Sequence, residues 1–244
     1  MNGDEAEQYW EAACTEVATL EAMDAWEVVD RPKDRRVLPS LWAFRRKRNP
    51  DGTIRKYKAR FTARGDKQIA GVDFNETWAP VTKWTTIRLM FILQCCLDLK
   101  SASADVACAF LHGSLDEGEE VYIEMPKGFQ QEGKCLKLKR SLYGLKQAPR
   151  CFWKYLVETM GAVGMQQSEH DPCMFIGEKV IAVAYVDDIL FWARDDEDIT
   201  TKMAELRSKG LFLEKESSAA GFLGVDIKVL EKDGGSRRME KAQG

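Results

Sequence analysis

Val180-Ile181-Ala182-Val183-Ala184-Tyr185-Val186-Asp187-Asp188-Ile189-Leu190-Phe191-Trp192 is the clearest β signal in the chain. Two apolar runs rich in β-branched and aromatic residues flank a Val-Asp-Asp centre, the pattern of a buried hairpin. Carboxylates near a core cost free energy unless paired or metal-bound, so Asp187 and Asp188 at such a tip need a reason. The chain carries its own control. Asp195-Asp196-Glu197-Asp198 is also acidic, but it precedes a helix, where solvated acids suit the N-terminus. Taken alone, an Asp-Asp turn is more often structural than catalytic. A third acid changes the weighing: Asp105 lies in Ser103-Ala104-Asp105-Val106-Ala107-Cys108-Ala109-Phe110-Leu111, among small and apolar residues. Two or three converging carboxylates can hold two divalent cations about 3.5–4 Å apart. Magnesium suits such a site, because it takes a few carboxylates and completes its shell with substrate phosphate oxygens.

Outward from the hairpin, the periodicity alternates between helix and strand. Trp10, Ala13, Val17 and Leu20 predict an N-terminal amphipathic helix. Trp26-Glu27-Val28-Val29 reads as a strand. Leu41-Trp42-Ala43-Phe44 and Lys56-Tyr57-Lys58-Ala59-Arg60-Phe61 read as a hairpin turned at Asn49-Pro50-Asp51-Gly52. Ile87, Met90, Phe91 and Leu97 mark a helix over 85–99. Val121-Tyr122-Ile123 and Leu136-Lys137-Leu138 are expected strands. Phe152, Leu156, Met160 and Val163 form one stripe of a helix after Pro149. Another helix runs over 198–208, with Ile199, Met203 and Leu206 inward and Gly210 as its stop. Phe222 to Ile227 is the last expected strand, and a polar, frayed tail follows. Trp10, Trp26, Trp42 and Trp78 each lie in an apolar pattern and are expected in the core. The fold class is α+β.

The chain has 244 residues, 45% apolar and 31% charged, which fits a globular protein rather than a disordered one. No apolar run reaches the ~18–20 residues of a membrane span, and Met1 to Glu7 lacks a signal-peptide pattern. Seven cysteines without CxxC spacing fit a reducing compartment better than a disulfide framework or zinc site. Net charge is only −3, but it is segregated: residues 1–30 hold nine acids and no Lys or Arg, whereas residues 31–67 hold fourteen Lys or Arg against three acids. A basic face can attract a polyanion while the rest of the chain stays acidic. Three acids, a basic hairpin and no His/Cys ligand set point to phosphoryl transfer onto a nucleic acid.

Tyr185-Val186-Asp187-Asp188 resembles the hairpin signature of reverse transcriptases. The likeness extends to the Ty1/copia retrotransposon enzymes through Lys58-Ala59-Arg60-Phe61-Thr62-Ala63-Arg64-Gly65 and Gly71-Val72-Asp73-Phe74-Asn75-Glu76-Thr77-Trp78-Ala79-Pro80-Val81. Asp105-Val106 with Ala109-Phe110-Leu111-His112-Gly113, and Glu120-Val121-Tyr122-Ile123-Glu124-Met125-Pro126 with Gly128-Phe129, are similar too. Ser141-Leu142-Tyr143-Gly144-Leu145-Lys146-Gln147-Ala148-Pro149-Arg150 is the most specific stretch, and Phe222-Leu223-Gly224-Val225 matches the strand that closes the family's palm. The ordered motifs cover residues 10 to 230.

The resemblance implies a right-hand polymerase palm and fingers: an antiparallel palm sheet packed on helices, with the thumb largely absent. It divides the chain into an N-terminal helix (1–24), fingers and palm (25–230) and a polar tail (231–244). It implies RNA-directed DNA polymerase activity with Mg2+, or Mn2+, held by Asp105, Asp187 and Asp188, the last less directly. Lys58 and Arg46 or Lys47 would grip the incoming triphosphate, with general template attraction as the alternative role. Phe110, five residues after Asp105, would stand beside the nucleotide sugar, with core packing of Ala109-Phe110-Leu111 as the alternative role. Tyr143, Lys146 and Gln147 would contact nucleotide or template, and Arg60, Arg64, Tyr185 and Arg150 the nucleic acid. Expected partners are an RNA or DNA template-primer, dNTPs and the other Pol regions, integrase and RNase H, but no membrane. The expected setting is intracellular, in a cytoplasmic virus-like particle or the nucleus. Ala107-Cys108 departs from the more polar pair usual after the first aspartate, and places a thiol where oxidants would reach the metal site. The chain ends soon after the palm, so a catalytically silent nucleic-acid-binding remnant is the alternative. A structural subunit is a weaker reading, since a scaffold need not keep three costly acids.

Overall fold

A computed structural model describes residues 5–49, 51–215, 226–231 and 237–242, the last two stretches as backbone. In chain order the elements are α1 (Ala6–Ala22), β1 (Trp26–Asp30), β2 (Val37–Leu38), β3 (Ser40–Arg48), β4 (Ile54–Ala63), α2 (Trp84–Leu97), β5 (Lys100–Val106), α3 (Ala109–His112), β6 (Tyr122–Ile123) and β7 (Lys134–Leu138). There follow α4 (Ala148–Ala162), β8 (Gln166–Gln167), β9 (Met174–Ile176), β10 (Val180–Tyr185), β11 (Asp188–Ala193), α5 (Asp196–Ser208), β12 (Leu213–Lys215), β13 (Asp226–Glu231) and β14 (Arg237–Ala242). They gather into two compact units, Met1–Trp78 with Phe110–Phe152, and Ala79–Ala109 with Trp153–Gly244.

In the first unit β1, β7, β6 and β2 form one sheet, with β1–β7 and β6–β7 antiparallel and β2–β6 parallel. The β3–β4 hairpin stands as a separate two-stranded ribbon. Helix α1 buries Ala13, Val17 and Leu20, and its Tyr9 ring meets Phe44 and Tyr57 edge-on at 5.2 and 4.9 Å. Glu16 accepts the Phe61 N–H at 3.3 Å, so α1 occupies a backbone donor that an isolated ribbon would leave to water. The helix therefore belongs to this unit's core.

The second unit holds a six-stranded sheet in the order β12-β5-β11-β10-β9-β8, antiparallel throughout. Its 180–193 stretch reads as continuous apolar runs because both faces are covered. On one face Val183, Leu190 and Trp192 pack with Ile87 and Met90 of α2. Gln94 sits among them without orphaned atoms, donating to Ser101 Oγ at 3.0 Å and accepting from Trp192 Nε1 at 2.9 Å. On the other face Phe175 meets Trp153 of α4 at 5.8 Å between centroids, beside buried Ala182 and Phe191. Helix α5 buries Ile199, Met203 and Leu206, with Asp195 as its N-cap and three acids in its first turn.

Several expectations are corrected. Trp26 is buried, but Trp10 is 41% and Trp78 68% exposed, and Trp42 is half-buried. Local apolar pattern identified these rings without showing whether a second layer covers them. Leu97, placed on the inward stripe, is 60% exposed because α2 ends there and Asp98 turns into the left-handed region at φ +53°. Val163 falls just past the end of α4, and α4 starts at Ala148, with Pro149 in the first turn, where a missing N–H is harmless. The backbone of Arg237–Ala242, expected to fray, pairs with β13. The Phe222 to Val225 part of the last expected strand lies outside the described residues.

Candidate functional site

The β10–β11 hairpin pairs Tyr185 with Asp188, leaving Val186 and Asp187 as a two-residue loop. Val186 has φ +56°. Positive φ at the first loop residue marks a tight hairpin turn that ordinarily takes glycine there. A β-branched side chain in that region stores on the order of 1–3 kcal/mol. The strain sits beside the acids. Cys108, three residues past Asp105, also has positive φ, at +52°.

Asp188 is in register with Asp105 across β11 and β5, and directly opposed residues of an antiparallel pair project from the same face. The turn is tied to β5 as well: the Val106 N–H donates to the Asp187 carbonyl at 2.7 Å. Asp105, Asp187 and Asp188 are all half-buried, flanked by fully buried Ala104 and Ile189. Tyr185 continues the same row and packs against the apolar cluster under α2. Sequence reading missed Glu214, which β12 places in register with Asp105 on its other side. Nothing around Leu213-Glu214-Lys215 signals that neighbour, because strand pairing alone creates it. Among the described residues no three His, Cys, Asp or Glu side chains form a ready metal cage. An all-oxygen set of a few carboxylates is nevertheless the donor chemistry that suits magnesium, which leaves coordination positions to substrate.

In the first unit the hairpin sorts its charge by strand alternation. Ala43↔Arg60, Arg45↔Lys58 and Lys47↔Lys56 share one face, and Trp42↔Phe61, Phe44↔Ala59 and Arg46↔Tyr57 the other. Five cations (Arg45, Lys47, Lys56, Lys58 and Arg60) thus form a row on one side of the ribbon. Arg46 lies on the opposite face, 3.4 Å from Glu5, which also accepts the Tyr57 hydroxyl at 2.9 Å. Arg46 and Lys47 therefore do not point the same way, and Lys47 shares its face with Lys58.

The Ser141–Arg150 segment organises the rest of this unit. Ser141 is buried, with its N–H on the Gly113 carbonyl at 2.9 Å and its hydroxyl donating to the Phe110 carbonyl. Gly144 has φ +88°, and a Cβ there would lie 2.2 Å from the Ala63 carbonyl oxygen. Only glycine lets the strand β4 backbone come so close. Lys146 is exposed, its ammonium 5.0 Å from the Phe74 ring centroid and 3.4 Å from the Gln68 carbonyl oxygen. Gln147, expected against nucleotide and template, is 1% exposed. Its amide accepts from Gln68 Nε2 at 2.9 Å and donates to the Asp73 carbonyl at 3.1 Å and to Glu119 at 3.3 Å. A buried amide needs such partners, and here they lock residues 68–73 to the start of α4. Gln68, Asp73 and Glu119 are the hydrogen-bond partners that hold this segment, and periodicity could not reveal them. Arg64 forms a two-pronged pair with Asp66 at 2.6 and 2.7 Å. Arg150 faces Glu76 and Asp116 at 3.3 and 3.5 Å.

The family model for reverse transcriptase (RNA-dependent DNA polymerase) matches residues 23–242. The chain belongs to the reverse transcriptase family. It is 36% identical over 235 residues to the retrovirus-related Pol polyprotein from transposon TNT 1-94 of Nicotiana tabacum, covering 93% of this chain and 18% of that protein. The polyprotein from transposon RE1 of Arabidopsis thaliana is 31% identical over 230 residues, covering 91% and 16%. The Transposon Ty1-H Gag-Pol polyprotein of Saccharomyces cerevisiae is 31% identical over 245 residues, covering 92% and 13%. This reverse transcriptase chain is thus of the Ty1/copia type, and it spans less than a fifth of the length of these relatives.

Proposed function

We propose that the chain is an RNA-directed DNA polymerase domain, adding dNTPs to a primer 3′-hydroxyl on an RNA or DNA template within a longer Pol polyprotein. The observation that carries this reading is the register of Asp105 with Asp188 on one sheet face, next to the strained Val186-Asp187 turn. In this reading the six-stranded sheet is the palm and the β3–β4 ribbon belongs to the fingers. Asp105 and Asp187 hold two magnesium ions, and Asp188 completes the acidic set. Bound magnesium supplies a lowered pKa for the attacking hydroxyl and charge neutralisation at the leaving oxygen. The chain's own residues do the rest. The basic row from Lys47 to Arg60 draws phosphates, and Lys58 and Lys47 are its candidates for the triphosphate. Phe110 stands at the sugar and excludes a ribose 2′-hydroxyl by volume.

Primer extension on oligo-primed RNA with magnesium or manganese tests the reading. Asp105→Asn and Asp187→Asn should each lower incorporation more than about a hundredfold, while duplex binding stays within about twofold, because little positive surface is lost. Asp188→Asn should be less damaging. A wild-type rate in Asp105→Asn would overturn the two-metal assignment. A wild-type chain that binds duplex yet extends nothing is instead the catalytically silent remnant.

A further inference from the structure

Four side chains of the first unit form a continuous stack. The Arg60 guanidinium lies 4.6 Å from the Tyr143 ring centroid. Tyr143 meets Phe110 edge-on at 4.9 Å and 75°, and Phe110 meets Phe152 at 6.5 Å and 86°. The two ends of the stack differ. Phe152 is buried in α4 and cannot yield. Arg60 is half-buried at the inner end of the hairpin's cationic row. The backbones between them are pinned: the Ala63 N–H donates to the Tyr143 carbonyl at 2.9 Å, and the Ser141 hydroxyl binds the Phe110 carbonyl. With the backbones held, the remaining freedom of the Phe110 ring is rotation about its side-chain bonds. The Tyr143 edge opposes that rotation, and the Arg60 plane holds Tyr143.

We propose that Arg60 is a positioning residue for sugar selection, holding the Phe110 ring in place through Tyr143. The inference rests on the polymerase reading and on Phe110 facing the sugar. A gate works by volume only if its ring cannot swing aside, so discrimination belongs to the stack and not to Phe110 alone. Because Arg60 also stands in the row that draws phosphates, its removal lowers overall affinity as well. The ratio of ribonucleotide to deoxynucleotide kcat/KM on one template-primer cancels that loss.

In Arg60→Met, and in the polar alternative Arg60→Gln, this ratio should rise about threefold to tenfold. Arg60→Lys, which keeps a cation over the ring, should stay within about twofold of wild type. Arg60→Met combined with Tyr143→Leu should rise no further than Tyr143→Leu alone, since both act through one contact. A second readout needs no turnover. In protein labelled with 3-fluorophenylalanine, the Phe110 fluorine resonance, identified by its loss in Phe110→Val, should show faster ring flipping in Arg60→Met than in wild type. An unchanged ratio and unchanged flipping in Arg60→Met, while Phe110→Val does relax selectivity, would overturn the role of Arg60. Unchanged selectivity in an active Phe110→Val overturns the gate and this inference with it. A wild-type chain that extends no primer overturns the polymerase reading, and the flipping measurement still decides whether Arg60 clamps the ring.

Discussion

Asp171 is 2% exposed, and neither of its oxygens lacks a donor. Thr86 Oγ1 at 2.5 Å, the Lys83 N–H at 3.0 Å and Thr82 Oγ1 at 3.1 Å bind one oxygen, and the Cys173 N–H at 2.9 Å binds the other. It caps α2 from a distant loop, supplying the acceptor that Lys83, at the N-cap, does not. Burial works to raise its pKa, but these hydrogen bonds outweigh burial and hold the carboxyl below the usual range. Asp171→Asn turns an amide NH2 towards donors on one side, and should cost about 2–3 kcal/mol in urea unfolding at pH 7. The sign with pH follows from a depressed folded pKa. The carboxylate's contribution is fully present above its unfolded value, about 4, and is lost as pH falls through the folded one. The gap between wild type and variant should therefore narrow below about pH 4; a gap constant from pH 7 to pH 3 would contradict this account. The same buried loop pushes the Cys173 thiol up to about 12, by burial first and by the Asp171 charge second.

At the scale of the element, the β3–β4 ribbon turns a run of mixed sequence into two chemically different faces. Period-two alternation puts Lys47 and Lys56 opposite each other on the cationic side, while Phe61 and Ala59 are buried on the other. Like charges directly opposed destabilise a ribbon, so this row works against folding, and the proposed nucleic-acid partner would offset that repulsion. Lys47→Ser with Lys56→Ser should leave the hairpin at least as stable as before. The same pair should flatten the dependence of log K on log salt for template-primer binding by about two, roughly one per cation. Titrations at several salt concentrations measure the slope; an unchanged slope would remove these residues from the proposed nucleic-acid face.

Across the whole molecule, sheet order decides what can fold alone. In the first unit β1 pairs with β7, and β2 with β6, although about a hundred residues separate β1 from β7 in the chain. A fragment ending at Trp78 keeps α1 and the ribbon but leaves β1 and β2 without partners. Such two-residue and five-residue strands carry too little local preference to persist unpaired. Residues 1–78 alone should show no cooperative urea transition by near-ultraviolet circular dichroism, whereas the full chain should. A cooperative transition in the fragment would mean that α1 and the ribbon form a core without the β6 and β7 strands.

Local chemistry made much of this protein legible. The buried hairpin, the helices carrying Leu20, Leu156 and Met203, the cationic ribbon and the three acids were all visible as periodicity, charge or misplaced polarity. Those signals are short-range, and the chain's neighbours in sequence carry them. The family motifs added the order in which the acids occur. What lay beyond local reading depended on pairing between distant segments. Register set Asp188 opposite Asp105 and brought Glu214 to its other side. Burial closed Gln147 and Asp171 in hydrogen bonds and left Trp10 and Trp78 open, though all had looked equally polar or apolar in sequence. The Arg60–Tyr143–Phe110 stack joins residues from three separate motifs. A residue's own chemistry is written in its side chain, but the atoms that satisfy or restrain it arrive only when the chain has folded.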